Sequence, residues 1–357
     1  MMDIHSFASG PSMLPPGIVE AVARDVVDCD ASGRSLLALP FTSREFTEIL
    51  GRAETYIRQL LAIPDGYHVL FLQGGASSHF TLLPMNLLGH LRQADYVEAG
   101  LWSRRAAAAA RPWCEVNISA RGNRSAMPLP DDWQISPQSA YCHITTNETV
   151  EGLQLHTWPD QIGVPLVADM TADLLTRPVP MERFDLVYAS AQKNLGAAGL
   201  TIVIVREDLL GKSRMGTPAP LDYTLQATAH SKVNTPPTIA VAVAARMLEW
   251  ITRQGGLASM EELNRRKSDS IYAIIDRSGF YRCNAASPHR SMLNVCFNLP
   301  NAELDKRFLA EATAEGLLDL GGHVDIGGIR ASVYNAVPEQ AVNKLVWFMT
   351  DFEARRG

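Results

Sequence analysis

Cysteine is scarce in this chain and scattered: Cys29, Cys114, Cys142, Cys283 and Cys296 lie far apart, with no Cys-x-x-Cys pair. An odd, dispersed set offers neither a disulfide framework nor a zinc site and fits a reducing compartment. Long apolar runs are missing too, since none reaches the roughly 18 residues of a membrane span. The opening Met1-Met2-Asp3-Ile4-His5 has no basic stretch leading into an apolar one, so a cytoplasmic, unprocessed protein is expected. There is no surplus of positive charge: Lys+Arg 32 against Asp+Glu 38 leaves a net −6. That balance argues against nucleic acid or an anionic membrane as partner, and confines any anion site to a local cluster.

What is present is the composition of an ordinary globular protein, 357 residues with 46% hydrophobic and 20% charged. Such a chain can bury a large core and form one big domain with a smaller one. Short β-branched runs at His68–Leu72, Ala94–Val97, Ser139–Ile144, Val164–Ala168, Asp185–Tyr188 and Leu200–Val205 alternate with helical patterns. Strand, loop and helix units at this spacing predict an α/β fold with a mostly parallel, doubly wound sheet whose loops carry the site at one edge. Gly255-Gly256 marks the boundary to a compact α+β region. The predicted large domain spans residues 13–255, and residues 1–12 with 256–357 form the small one. Asn234 reads as the N-cap of a helix from Ile239, with Pro236 and Pro237 in its first turn.

Between two of the apolar runs lies Ala189-Ser190-Ala191-Gln192-Lys193-Asn194-Leu195-Gly196-Ala197-Ala198-Gly199. A lone lysine in a small-residue turn deep in a fold is either desolvated, with a lowered pKa and a covalent task, or snorkels outward from a strand end. Asp169 closes a neighbouring strand. The Gly74-Gly75-Ala76-Ser77-Ser78 turn opens a helix, which suits a phosphate, although many such turns only cap. Trp102, just after a strand, reads first as a core residue. Taken together, a lysine, an acid and an anion cradle are what pyridoxal 5′-phosphate needs: a covalent anchor, a partner for its ring nitrogen and a seat for its phosphate.

The chain resembles the phosphoserine aminotransferases, within the class V, fold-type I aminotransferases. The matching runs include Ser9-Gly10-Pro11, Ala94-Asp95-Tyr96-Val97, Asn147-Glu148-Thr149, Ala191-Gln192-Lys193-Asn194, Asn234-Thr235-Pro236-Pro237-Thr238 and Gly327-Gly328-Ile329-Arg330-Ala331-Ser332. The resemblance implies a fold-type I large domain with a mostly parallel seven-stranded sheet, pyridoxal 5′-phosphate as cofactor, and ping-pong exchange between an amino acid and a keto acid. It implies that Lys193 bonds the cofactor and shuttles the proton. Asp169 pairs with the ring nitrogen, Trp102 stacks on the ring, and Thr149 and Gln192 touch it. Ala76 and Ser77 hold its phosphate. Asn234 and Thr235 reach that phosphate from the second subunit of a homodimer, and Arg330 grips the substrate α-carboxylate.

The departures fall elsewhere. The family holds the substrate's second anionic group with two His-Arg pairs, and here these positions read Phe41-Thr42 and His323-Val324. Each charge-assisted contact is worth roughly 1.5–3 kcal/mol, so two lost arginines weaken a phosphorylated substrate by about 3–6 kcal/mol. The resulting expectation is an aminotransferase for a small, non-phosphorylated amino acid. The alternatives are the parent phosphoserine reaction, with Arg34, Arg44, Arg104 or Arg105 recruited to the phosphate, and an elimination or decarboxylation on the same scaffold.

Overall fold

The computed structural model describes residues 3–357. Seven strands form the main sheet: β1 (Tyr67–Gln73), β2 (Gln93–Glu98), β3 (Glu115–Arg121), β4 (Cys142–Thr145), β5 (Leu166–Asp169), β6 (Leu186–Ser190) and β7 (Leu200–Arg206). Their order is β1-β7-β6-β5-β4-β2-β3. Only β7 runs against its neighbours, pairing antiparallel with both β1 and β6, while the remaining pairs are parallel. The expected α/β sheet is therefore present, with seven strands.

Its strands are apolar on both faces because both faces are covered. Val69, Phe71, Val187, Ala189, Ile202 and Ile204 point into one core, while Leu70, Leu72, Leu186, Tyr188, Val203 and Val205 point into the other. The first core is roofed by α2 (Arg44–Leu61) and α6 (Thr238–Arg253), with α1 (Pro16–Val27) against α6. On α2, Phe46, Ile49, Leu50, Ala53, Ile57 and Leu61 are buried at helical spacing, and Ser43 caps the first turn by accepting from Phe46 N at 3.2 Å. The opposite face carries α3 (Ala76–Leu87), α4 (Leu101–Ala110) and α5 (Tyr223–Thr228).

Several boundaries differ from the sequence reading. Edge strand β3 went unpredicted because only Ser119 of its seven residues is fully buried, leaving little apolar signal. Helix α3 starts at Ala76 within the glycine-serine turn, as expected, whereas Trp102, read as following a strand, lies in the first turn of α4 from Leu101. Asn234 is not a helix cap: α6 begins at Thr238 after Pro237, with no side-chain cap. The two prolines hold the preceding residues extended and delay the helix.

A third core gathers Phe7 with residues of α7 (Gly256–Arg277), β8 (Asn294–Phe297), α8 (Ala302–Ala314), β9 (Ile329–Ser332) and α9 (Glu339–Arg356). The segment His5–Ser6 reaches it from the start of the chain, pairing parallel with Leu317–Leu318. Phe308 is fully buried there, with ring centroids 5.9, 5.0 and 5.2 Å from Phe297, Phe348 and Phe352. Phe308→Ala is expected to cost about 3–5 kcal/mol, which a urea unfolding curve at equilibrium would detect.

Candidate active site

Six parallel strands end on the same edge of the sheet, and their last residues, Gln73, Glu98, Thr145, Asp169 and Ser190 among them, open onto one crevice. The turn from Ser190 to Leu200 crosses it. Ala191 N donates to Leu200 O at 2.9 Å and closes the turn at its base. Gly196 sits at φ +135°, where a Cβ would come within 2.7 Å of Val243 on α6, so this position needs glycine.

The amino-terminal Ser9–Ser12 stretch lies across the turn. Ser12 N donates to Gln192 O at 2.9 Å and Ser12 Oγ donates to Lys193 O. From the other side, Asn194 Oδ1 accepts from Asn335 N at 3.1 Å, and its Nδ2 donates to Ala172 O at 2.9 Å. Lys193 is thus fixed on both flanks. Burial lowers its pKa from 10.5 to about 8, with Arg330 adding in the same direction and Asp169 and Glu148 opposing. Gln192 accepts from Ser190 Oγ, which turns its amide along the same turn.

Asp169 closes β5 opposite Tyr188 of β6. Its carboxylate accepts from Thr171 N at 2.9 Å, and burial raises its pKa despite that bond and the nearby Lys193. Among the described residues no cation lies within ion-pair distance of it. A buried acid of this kind suits a protonated ring nitrogen, which would supply the missing positive charge.

Trp102, Thr149 and Arg330 form one cluster. Trp102 Nε1 donates to Thr149 Oγ1 at 2.8 Å, and Arg330 Nη1 donates to Thr149 O at 3.4 Å. The tryptophan is half-buried with its helix held from below by Glu148. That carboxylate accepts from Trp102 N, Ser103 N and Ser103 Oγ at 2.8, 2.8 and 2.6 Å, an anion seated on the first turn of α4. Burial, then the neighbouring Glu151, raises Glu148 to about 7. Arg330 itself has no carboxylate within ion-pair distance among the described residues, so its guanidinium fork is free for a ligand.

The cradle is built for an anion. Gly75 precedes α3 with no side-chain cap, which leaves the first amides, those of Ala76 and Ser77, facing outward. Gly74 has φ +109°, and a Cβ there would press within 3.1 Å of Ser78 Oγ. Asn234 and Thr235 lie nearby in the same chain: Thr235 O accepts from Gln73 Nε2, and Asn234 Oδ1 accepts from Gln226 Nε2 at 3.3 Å. An acid partner, a lysine of lowered pKa and an uncapped helix start fit pyridoxal 5′-phosphate.

The other substrate-pocket positions are spread out. Phe41 packs against the large core and Thr42 is exposed, and no hydrogen bond or ion pair ties either to the Lys193 cluster among the described residues. Val324 is 90% exposed. His323 is half-buried on the loop before β9, its Nδ1 accepting from Asp325 N at 3.2 Å. Sequence reasoning left Ser12, Glu148, Asn194 and Asn335 without roles. Glu148 and Asn194 had a local signal, each standing in a recognised motif.

Comparison with known proteins adds the family. The profile described as aminotransferase class-V matches residues 4–345. The phosphoserine aminotransferase of Laribacter hongkongensis is 46% identical over 360 residues, covering 100% of both chains. That of Azotobacter vinelandii is 44% identical, covering 99% of this chain and 98% of its own. Among solved structures, phosphoserine aminotransferase from Bacillus circulans subsp. alkalophilus superposes with TM-score 0.97 at 39% identity, over 99% of each chain.

The pKa of Glu148 has a testable sign. A carboxyl raised from 4.5 to about 7 stabilises the fold fully below pH 4.5, and that contribution is lost as pH rises toward about 7. The stability of the native chain relative to Glu148→Gln is expected to fall across this window. Parallel unfolding midpoints from pH 4.5 to 7 would contradict the assignment.

Proposed function

We infer the reaction from one premise: this chain belongs to the class-V aminotransferase family. It is a pyridoxal-phosphate-dependent transaminase, and we propose that it converts phosphoserine and 2-oxoglutarate reversibly into 3-phosphohydroxypyruvate and glutamate. The observation that carries this reading is the likeness to phosphoserine aminotransferases along the whole of both chains, 46% over 360 residues. That likeness favours the parent reaction over the non-phosphorylated substrate expected from Phe41-Thr42 and Val324. Three changed positions weigh less than a scaffold matched from end to end.

The residues take roles that their surroundings suit. Bound in the crevice, pyridoxal phosphate supplies a carbonyl carbon for amine condensation and a ring that accepts the electron pair released at the substrate Cα. Ala76 and Ser77 would offer amides to its phosphate, Asp169 would hold the proton on the ring nitrogen, and Trp102 would stack on the ring. Thr149 keeps Trp102 in place. Lys193 Nζ would hold the group through a covalent bond to its carbonyl carbon; released by substrate, its amine would take the proton from the substrate Cα and shuttle it to that carbonyl carbon. With a pKa near 8, roughly a tenth of that amine is unprotonated at pH 7. Arg330 binds the α-carboxylate.

A second copy of the chain is part of this reading, with its Asn234 and Thr235 completing the phosphate seat in a homodimer. So is the division into a large domain of residues 13–255 and a small one of 1–12 and 256–357. No helix of the described residues is long and apolar enough to cross a membrane, and all five cysteines are free. We place the enzyme in the cytoplasm because its five cysteines are too dispersed in the sequence for a disulfide framework.

Two measurements test the reading. Steady-state kinetics should give kcat/KM for phosphoserine with 2-oxoglutarate at least about a hundredfold above that for alanine; equal values would overturn the substrate assignment. Lys193→Ala should bind pyridoxal phosphate without forming the covalent link that borohydride traps in the native protein, as read by intact mass.

A further inference from the structure

A phosphorylated substrate brings a dianion to a pocket whose two expected arginine positions are Thr42 and Val324. Four other arginines were candidates to meet it, and the structure separates them. Arg34 pairs with Glu45 at 3.9 Å and Arg44 with Glu48 at 2.7 Å, both at the start of α2. Arg104 Nη2 is held 3.2 Å from Glu151, whose side chain is only 2% exposed. A buried carboxylate cannot let go of its cation cheaply.

Arg105 differs. It stands three residues after Trp102 on α4, hence on the same face, with its guanidinium carbon 5.2 Å from the centre of the Trp102 ring. Its acid partner, Asp325 at 3.6 Å, is 54% exposed and lies on the loop that leads into Arg330. The same loop carries His323, whose Nδ1 is 3.5 Å from Asp325 Oδ2. Trp102 and Arg330 already share Thr149. Arg105 therefore faces the Trp102 ring while Arg330 bonds the residue that holds that ring, and of the two only Arg105 is tied to an acid, one that solvent reaches.

Resting on the phosphoserine reading, we propose that Arg105 is the specificity residue for the anionic side chain of the substrate, and that Asp325 is the internal acid which substrate displaces. An exposed ion pair of this length is weak, and a phosphate or γ-carboxylate meeting the guanidinium in a bidentate geometry outcompetes it. Asp325 then acts as a built-in competitor: it keeps Arg105 oriented over Trp102 between turnovers and lowers the affinity for every anionic side chain alike. The same exchange serves both halves of the reaction, since phosphoserine and glutamate each present an anion beyond the α-carboxylate.

The test is a spectroscopic half-reaction titration of the holoenzyme with phosphoserine, glutamate and alanine, for the native chain and for Arg105→Ala, Arg105→Lys and Asp325→Asn. Arg105→Ala should weaken phosphoserine and glutamate by tenfold or more beyond any change with alanine. Arg105→Lys should recover part of that loss. Asp325→Asn should tighten both anionic substrates about two- to fivefold. Equal weakening on alanine, no change in Arg105→Ala, or weaker binding in Asp325→Asn would overturn the proposal. Native enzyme that binds phosphoserine no better than alanine but still favours glutamate would sink the phosphoserine reading alone, with the glutamate series deciding on Arg105. If neither anion outbinds alanine, both ideas fall.

Discussion

The constraint on which this structure turns is the desolvation of one ammonium group. Lys193 sits where burial has moved its pKa to about 8, and a cation in that position is tolerable only beside fixed negative charge. Asp169 at the end of β5 and Glu148 beneath α4 supply it. Both acids are themselves raised by burial, so the three groups are held in a balance that none would reach alone. The backbone around the lysine is correspondingly over-determined, tied by Ser12 on one side and Asn335 on the other. A group that must bond, release and move a proton gains from having its main chain immobile, because only the side chain then has to reorganise.

Much of this was legible in the sequence, and the pattern of what was not is physical. The buried strands were readable because apolar runs are needed wherever both faces of a sheet are covered, and their ends located Lys193, Asp169 and the Gly74–Ser78 cradle. Edge strand β3 was not, since a half-exposed strand carries little apolar signal. Asn234 looked like a cap because its residue type and the prolines after it fit one, yet two successive prolines hold the chain extended and push the helix to Thr238. Ser12 and Asn335 act on the lysine turn across 181 and 141 residues, a distance over which no local pattern operates. The substrate expectation rested on two short local stretches. Loss of arginine at positions 42 and 324 is a local fact, and so is the placement of Arg105 over Trp102; the approach of Asp325 to Arg105 is not, because it needs α4 and a distant loop to be neighbours.

The acids behind Trp102 show how the scaffold spends its buried charge. Glu148 satisfies two amides and a hydroxyl at the start of α4, and Gly100 exists to make room for it: a Cβ there would fall 2.6 Å from both the Glu148 and the Glu151 side chains. Glu151 Oε1 faces Arg104 while its Oε2 has no hydrogen-bond partner among the described residues. The ring platform is therefore in place through interactions internal to the chain, and its position does not wait for a ligand to arrive.

The short pairing of His5–Ser6 with Leu317–Leu318 also bears on how the chain is made. Phe7 is buried among α7, α8 and α9, and its carbonyl accepts from Ser332 N at 3.2 Å. During synthesis the first dozen residues emerge with nothing to pair with, and the large sheet, complete by Arg206, can form while they wait. The third core closes only after β9 has left the ribosome, and Asn335 reaches Asn194 at about the same moment. The Asn194 side of the lysine clamp therefore depends on a residue that follows β9, whereas the sheet that carries the lysine does not.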